Sequence, residues 1–379
     1  MYTMSGIAAW TVSILCMVGI LIFLIELLLR RWVVEDRNRL ADGVVSANRH
    51  SEAGKGSWTL SPEAVKLLDP HFSLTHWSEM QKWAQGVDKS RYEPISQVDR
   101  RNVLTFRGCD FFGGEFSIKE GSRSTSDQPD SADQVVACFG GSTTFCIEVA
   151  DSHTWPSYLQ RELNNQTKSR FSVINNGFPG APGLDRIAQF QFRTALRSGD
   201  IAVFLFGDND SGWKQWYPSR PMNFFLVRPL GFLERETKNR ILLWTWVKRE
   251  SAVILRKRLA VQTAKVTISA AEHAMTWAKQ RGVRVLFVLQ PNIMTLAKKS
   301  RSDSRILDAT ARNLLLMLNV AYHRYRDWST TSPNVVSAVH IFDGEKPSPY
   351  MSDWAHVNSR GNELIAKFIF DELKTRDFL

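Results

Sequence analysis

The chain has 379 residues, 48 Lys+Arg against 38 Asp+Glu, and a formal net charge of +10. At 44% hydrophobic and 23% charged, its composition excludes wholesale disorder and fibrous repeats. Cys16, Cys109, Cys138 and Cys146 contain no C-x-x-C pair, which excludes a disulfide-built scaffold and the common zinc ribbons, but they leave the redox compartment open.

In chain order, residues 7–29 (IAAWTVSILCMVGILIFLIELLL) come first, with Glu26 the only charge. At about 1.5 Å per residue the run is long enough for a hydrocarbon core of roughly 30 Å. It lacks the basic start and small-residue cleavage site of a signal peptide, so one membrane-spanning anchor is expected. No Lys or Arg precedes the run, while Arg30, Arg31, Arg37 and Arg39 follow it. That asymmetry by itself favours a cytoplasmic domain.

Roughly 350 residues follow, enough for one large domain or two small ones. Residues 30–133 read as a juxtamembrane linker with a small β-containing segment. Residues 41–57 and 119–133 are polar and without period, and VLTFRGCDFFGGEFSI between them has the look of a short hairpin. From 134 to 379 the pattern changes. Five apolar runs, VVACF (135–139), FSVIN (171–175), IAVFLF (201–206), VRVLFVL (283–289) and VVSAVHIF (335–342), are separated by segments of helical period. Leu184, Ile187, Ala188, Phe192 and Ala195 are expected on one helix face, and Leu364, Ile365, Phe368, Ile369 and Leu373 on another. Continuous apolar strands alternating with helices predict a parallel sheet covered on both sides, a three-layer α/β/α domain. In such folds chemistry gathers at the carboxyl ends of the strands.

Strand one ends in Gly140-Gly141-Ser142-Thr143-Thr144, strand two in Asn175-Asn176-Gly177 and strand three in Gly207-Asp208-Asn209-Asp210. Asp353-Trp354-Ala355-His356 precedes the last helical segment. Each block alone is ordinary turn chemistry. Together and in this order they resemble the SGNH (GDSL-like) hydrolase family, in particular a membrane-anchored branch whose first block reads Gly-Gly-Ser. The resemblance covers about 134–379 and implies a flavodoxin-like sheet. It implies Ser142 as nucleophile, His356 as general base and acid, and Asp353 as the group that orients the imidazole. The backbone amides of Ser142 and Gly177 and the side-chain amide of Asn209 would form the oxyanion hole. No cofactor and no metal site are implied.

Rival motifs fail on spacing: the nucleophile block is not G-x-S-x-G, it lacks the P-loop Lys, and no H-E-x-x-H occurs. His153, His273, His323 and His340 join no constellation. Cys138 and Cys146 read as small buried hydrophobes, and Asp210 as a turn-stabilising residue or a group polarising the site.

Residues 213–262 form a basic, aromatic insertion. Eleven Lys/Arg stand against Glu234, Glu236 and Glu250, among eight aromatic residues that include Trp213 and Trp216. A helical cap with solvated basic faces, a surface resting on anionic lipid, and a substrate-groove wall with Trp213 and Trp216 against sugar rings all fit this composition. Nucleic acid does not, since no binding motif accompanies the charge.

The resemblance implies a membrane-anchored serine esterase acting on an acylated sugar or lipid, with O-acetyl groups of a cell-envelope polysaccharide or glycolipid as the leading substrate class. O-acetyl transfer to a sugar hydroxyl, with an acyl donor supplied by a membrane-bound partner, would use the same residues. An inactive scaffold or sugar-binding module would have no need for the full set. Envelope substrates place the domain outside a bacterial inner membrane, against the arginine asymmetry.

Overall fold

A computed structural model describes residues 111–211 and 242–379, Ser352 apart, together with Thr75 and Ser78. The expected membrane span at 7–29 and the insertion residues 213–241 lie outside the described residues. Among the described residues no helix is long and apolar enough to cross a membrane.

The fold is mixed α/β around one sheet. Strands β1 (Phe111–Phe112), β2 (Ser117–Lys119), β3 (Ser122–Arg123), β4 (Gln134–Gly140), β5 (Phe171–Gly177), β6 (Ile201–Phe206), β7 (Arg284–Leu289) and β8 (Val335–Ser337) lie in the order β1-β2-β3-β5-β4-β6-β7-β8. From β5 to β8 all pairings are parallel, whereas β1, β2 and β3 add an antiparallel margin through Arg123 opposite Asn175. The chain leaves β4 to one side for β5 and to the other for β6. A crevice therefore opens between the carboxyl ends of β4 and β6, the place where such sheets bind ligands.

Side chains alternate across the strands, so the apolar runs feed two cores. Val136, Cys138, Val203, Leu205, Leu286 and Val288 face helices α2 (Trp155–Gln166) and α7 (Ser359–Thr375). Ala137, Phe139, Phe204, Phe206 and Phe287 face α3 (Gly183–Arg193), α4 (Leu242–Lys279) and α6 (Arg312–Thr331). Three in-register phenylalanines stack across neighbouring strands on that second face, Phe139 on Phe204 at 4.9 Å and Phe204 on Phe287 at 4.5 Å. A short helix, α1 (Ser142–Phe145), opens directly from β4, and α5 (Arg301–Ala309) starts from a Ser300–Asp303 capping box.

The structure departs from the sequence expectations at four places. The 119–133 segment, read as linker, contains β3, and Arg123 there is fully buried. The fifth apolar run is strand only over Val335–Ser337. Val339 and Phe342 are buried from a turn, and burial in a turn gives the same apolar signal as a strand. On α3, Phe190 is buried and Phe192 is 44% exposed, because position 190 lies three residues beyond Ile187 on the core side. Finally, the end of the basic insertion, from Leu242, is already the start of the 38-residue α4, a stretch without Gly or Pro. Farther along α4, Ala260, Ala264, Ala271, Ala274 and Ala278 form a buried small-residue stripe that lets neighbouring helices approach closely.

Candidate active site

The turn after β4 builds the nucleophile. Gly141 precedes α1, and a Cβ there would lie 2.2 Å from Asn209 Nδ2, so only glycine admits the Asn209 amide at this point. Ser142 is the first residue of α1, where its own amide has no intrahelical acceptor. Cys146 ends the helix after one turn in the left-handed region, at φ 55°, with its amide donating to Ser142 O.

The turn before α7 builds the base. Asp353 Oδ1 accepts from the amides of Ala355 (2.9 Å) and His356 (2.8 Å), which folds the D-x-x-H block back on its own carboxylate. Tyr350 bridges Val357, Met351 N donates to His356 O, and Asn358 caps α7 by accepting from Gly361 N. Trp354 Nε1 donates to Asp208 Oδ1 at 2.6 Å, fastening this turn to the end of β6.

These turns bring three of the expected residues into hydrogen-bonded series. Ser142 Oγ lies 2.7 Å from His356 Nε2, and His356 Nδ1 lies 2.6 Å from Asp353 Oδ2. The set can perform nucleophilic acyl chemistry: the carboxylate fixes the Nδ1–H tautomer, which leaves Nε2 to accept the serine proton. Asn209 lies against Gly141, and its Nδ2 donates to Ala181 O at 3.1 Å. Gly177 is placed beside the nucleophile helix, where a Cβ would meet Phe145 N at 2.3 Å. Its amide, however, donates to Asn175 Oδ1 at 3.0 Å, so a side chain of its own strand takes up that hydrogen. Trp213 and Trp216 lie outside the described residues.

Electrostatics at the base are unusual. Burial pushes the imidazole toward its neutral form, but Glu148, then Asp353, and farther off Asp208 outweigh it and lift His356 to about 10. Burial likewise opposes ionisation of Asp353, yet its charge and hydrogen-bond contacts with His356 hold it down at about 2. Glu148, 13% exposed, places Oε1 at 3.5 Å from His356 Nε2, and burial raises its own carboxyl above the ordinary value.

Sequence reasoning did not single out Glu148, Arg123 or Trp354. The available signal for Glu148 was one carboxylate inside the apolar stretch Phe145–Ala150. Asp210 acts as a tie, its carboxylate accepting from Gly183 N (2.6 Å) and Gly207 N (3.0 Å). Cys138 and Cys146 are buried free thiols, and burial pushes Cys146 up to about 12. His273, His323 and His340 are exposed. Among the described residues no group of His, Cys, Asp and Glu is arranged to hold a metal ion.

No protein-family model matches the sequence, and no curated protein matches it. Similar solved structures include a putative lipolytic protein of the G-D-S-L family from Desulfitobacterium hafniense, at 9% identity and TM-score 0.36, covering 64% of this chain and 100% of that one. Another is a lipase/acylhydrolase from Enterococcus faecalis, at 15% identity and TM-score 0.38, covering 64% and 96%. A third is an acetylxylan esterase from Geobacillus stearothermophilus, at 13% identity and TM-score 0.36, covering 64% and 95%.

Proposed function

We propose that the chain is a serine esterase of the SGNH type, anchored through residues 7–29, that removes O-acyl groups, foremost O-acetyl, from a cell-envelope polysaccharide or glycolipid. The observation that carries the reading is the Ser142–His356–Asp353 series at 2.7 and 2.6 Å, at the crevice between β4 and β6. The membrane location and the substrate class rest on the sequence resemblance.

In the reaction, Ser142 Oγ bonds to the ester carbonyl carbon as its proton passes to His356 Nε2, and the carbonyl electron pair moves onto oxygen. The Ser142 amide and the Asn209 side chain are the donors for that oxyanion. Collapse breaks the bond to the sugar or lipid oxygen, which takes the proton from Nε2. Water then attacks the acyl-serine, gives its proton to Nε2, and the acid leaves as Ser142 regains its hydrogen.

The test is labelling of the detergent-solubilised full chain with a fluorophosphonate, read by intact and peptide mass, beside Ser142→Ala and His356→Ala. One label on Ser142, absent from Ser142→Ala and strongly slowed in His356→Ala, is expected. An unlabelled wild-type protein overturns the serine mechanism.

A further inference from the structure

Glu148 lies between α1 and the 3₁₀ turn Asp151–His153, among Cys146, Ile147, Val149 and Ala150, all buried. A carboxylate in such surroundings persists only where charge or hydrogen bonds meet it. The backbone on both sides of it is held by one buried guanidinium. Arg123 Nη1 donates to Phe145 O (2.7 Å) and Cys146 O, Nη2 to Val149 O (2.5 Å), and Nε to Asp151 Oδ1 (2.8 Å). The position of Glu148 is thus fixed from β3, across the sheet margin from the triad.

His356 meets a carboxylate at each ring nitrogen, Asp353 at Nδ1 and Glu148 at Nε2, where the nucleophile also binds. The charged groups facing His356 are Glu148 from the segment after α1, Asp353 from its own turn and Asp208 from the end of β6. Those facing Glu148 are His356, Asp353 and, from β3, Arg123. The nearby Cys146 thiol stays neutral at ordinary pH.

We propose that Glu148 is a positioning residue for the base: a second carboxylate on the Nε2 side of His356 that holds the imidazolium while the proton is in transit from Ser142 to the leaving group. The inference rests on the esterase reading. Glu148 neither gains nor loses a proton over the cycle. Its charge stabilises the protonated ring, so the neutral ring needed for serine attack is reached only at higher pH. Removing that charge lowers the pH at which His356 becomes a base, and the acid limb of the rate profile moves down.

The experiment follows the rate of fluorophosphonate labelling of Ser142 from pH 5 to 10 for the full-length wild type, Glu148→Gln and Glu148→Asp. In the wild type the limb midpoint is expected above about 8, against about 6.5 for an ordinary imidazole. Glu148→Gln should move it down by at least about one unit, about tenfold in rate at a fixed pH on the limb, and Glu148→Asp should keep it near the wild-type position. Coincident wild-type and Glu148→Gln limbs, with Ser142 labelled in both, overturn the role of Glu148 and leave the esterase reading standing. Absence of label in the wild type overturns the esterase reading itself. If Glu148→Gln does not fold, Glu148→Ala takes its place in the same comparison, and a limb coincident with the wild type sinks the inference.

Discussion

Asp353→Asn separates the charge of the triad acid from its shape. The asparagine keeps an oxygen for the amides of Ala355 and His356, so the turn survives. What changes is the atom 2.6 Å from Nδ1, which becomes an NH₂ donor. Two donors cannot face each other at that distance, so the ring proton moves to Nε2. Ser142 Oγ, 2.7 Å away, then meets a donor where it needs an acceptor. The corresponding change in a serine-protease triad lowers kcat about 10⁴-fold. Here about 10³–10⁴ is expected, a barrier increase of about 4–5.5 kcal/mol. The measurement is kcat for p-nitrophenyl acetate, with thermal melting followed by circular dichroism to show that the fold is kept. A loss of less than tenfold in a folded variant would refute the tautomer argument and remove Asp353 from the triad.

Two further substitutions test the supports of the site. Gly141→Ala, at φ −83° and ψ −148°, would drive a methyl into the Asn209 amide. A drop of about 10²–10³ in kcat, the usual cost of one oxyanion donor, is expected in the folded variant, together with a lower melting temperature. A wild-type rate would move Asn209 out of that role. Trp354→Phe removes the donor to Asp208 Oδ1 and should destabilise the protein by about 1–3 kcal/mol in urea titrations. An unchanged midpoint would show that the tie between the base turn and β6 contributes nothing.

Much of the sheet was legible in the sequence because a strand buried on both faces must be apolar at every position. IAVFLF at 201–206 coincides with β6, and FSVIN and VVACF fall within β5 and β4. The polar blocks were legible because small and Asx residues stand where those runs stop. What escaped was the set of contacts between segments distant along the chain. Arg123 reads as a solvated charge in a Ser-rich stretch until β3 is seen against β5, and Glu148 has no spacing that ties it to His356, 208 positions later. The turn at 338–343 was misread for the opposite reason, since Val339 and Phe342 have the composition of a strand while serving as a plug.

The Arg123 clamp also sets where the working unit begins. Judged by strand direction alone, a fragment starting at Gln134 would carry every parallel strand and all three triad residues. It would nonetheless strip the carbonyls of Phe145, Cys146 and Val149 and the carboxylate of Asp151 of their common donor at once. Catalytic competence is therefore written partly upstream of the sheet that displays it, and truncations or domain fusions made from this chain must keep the small antiparallel margin to inherit an ordered nucleophile.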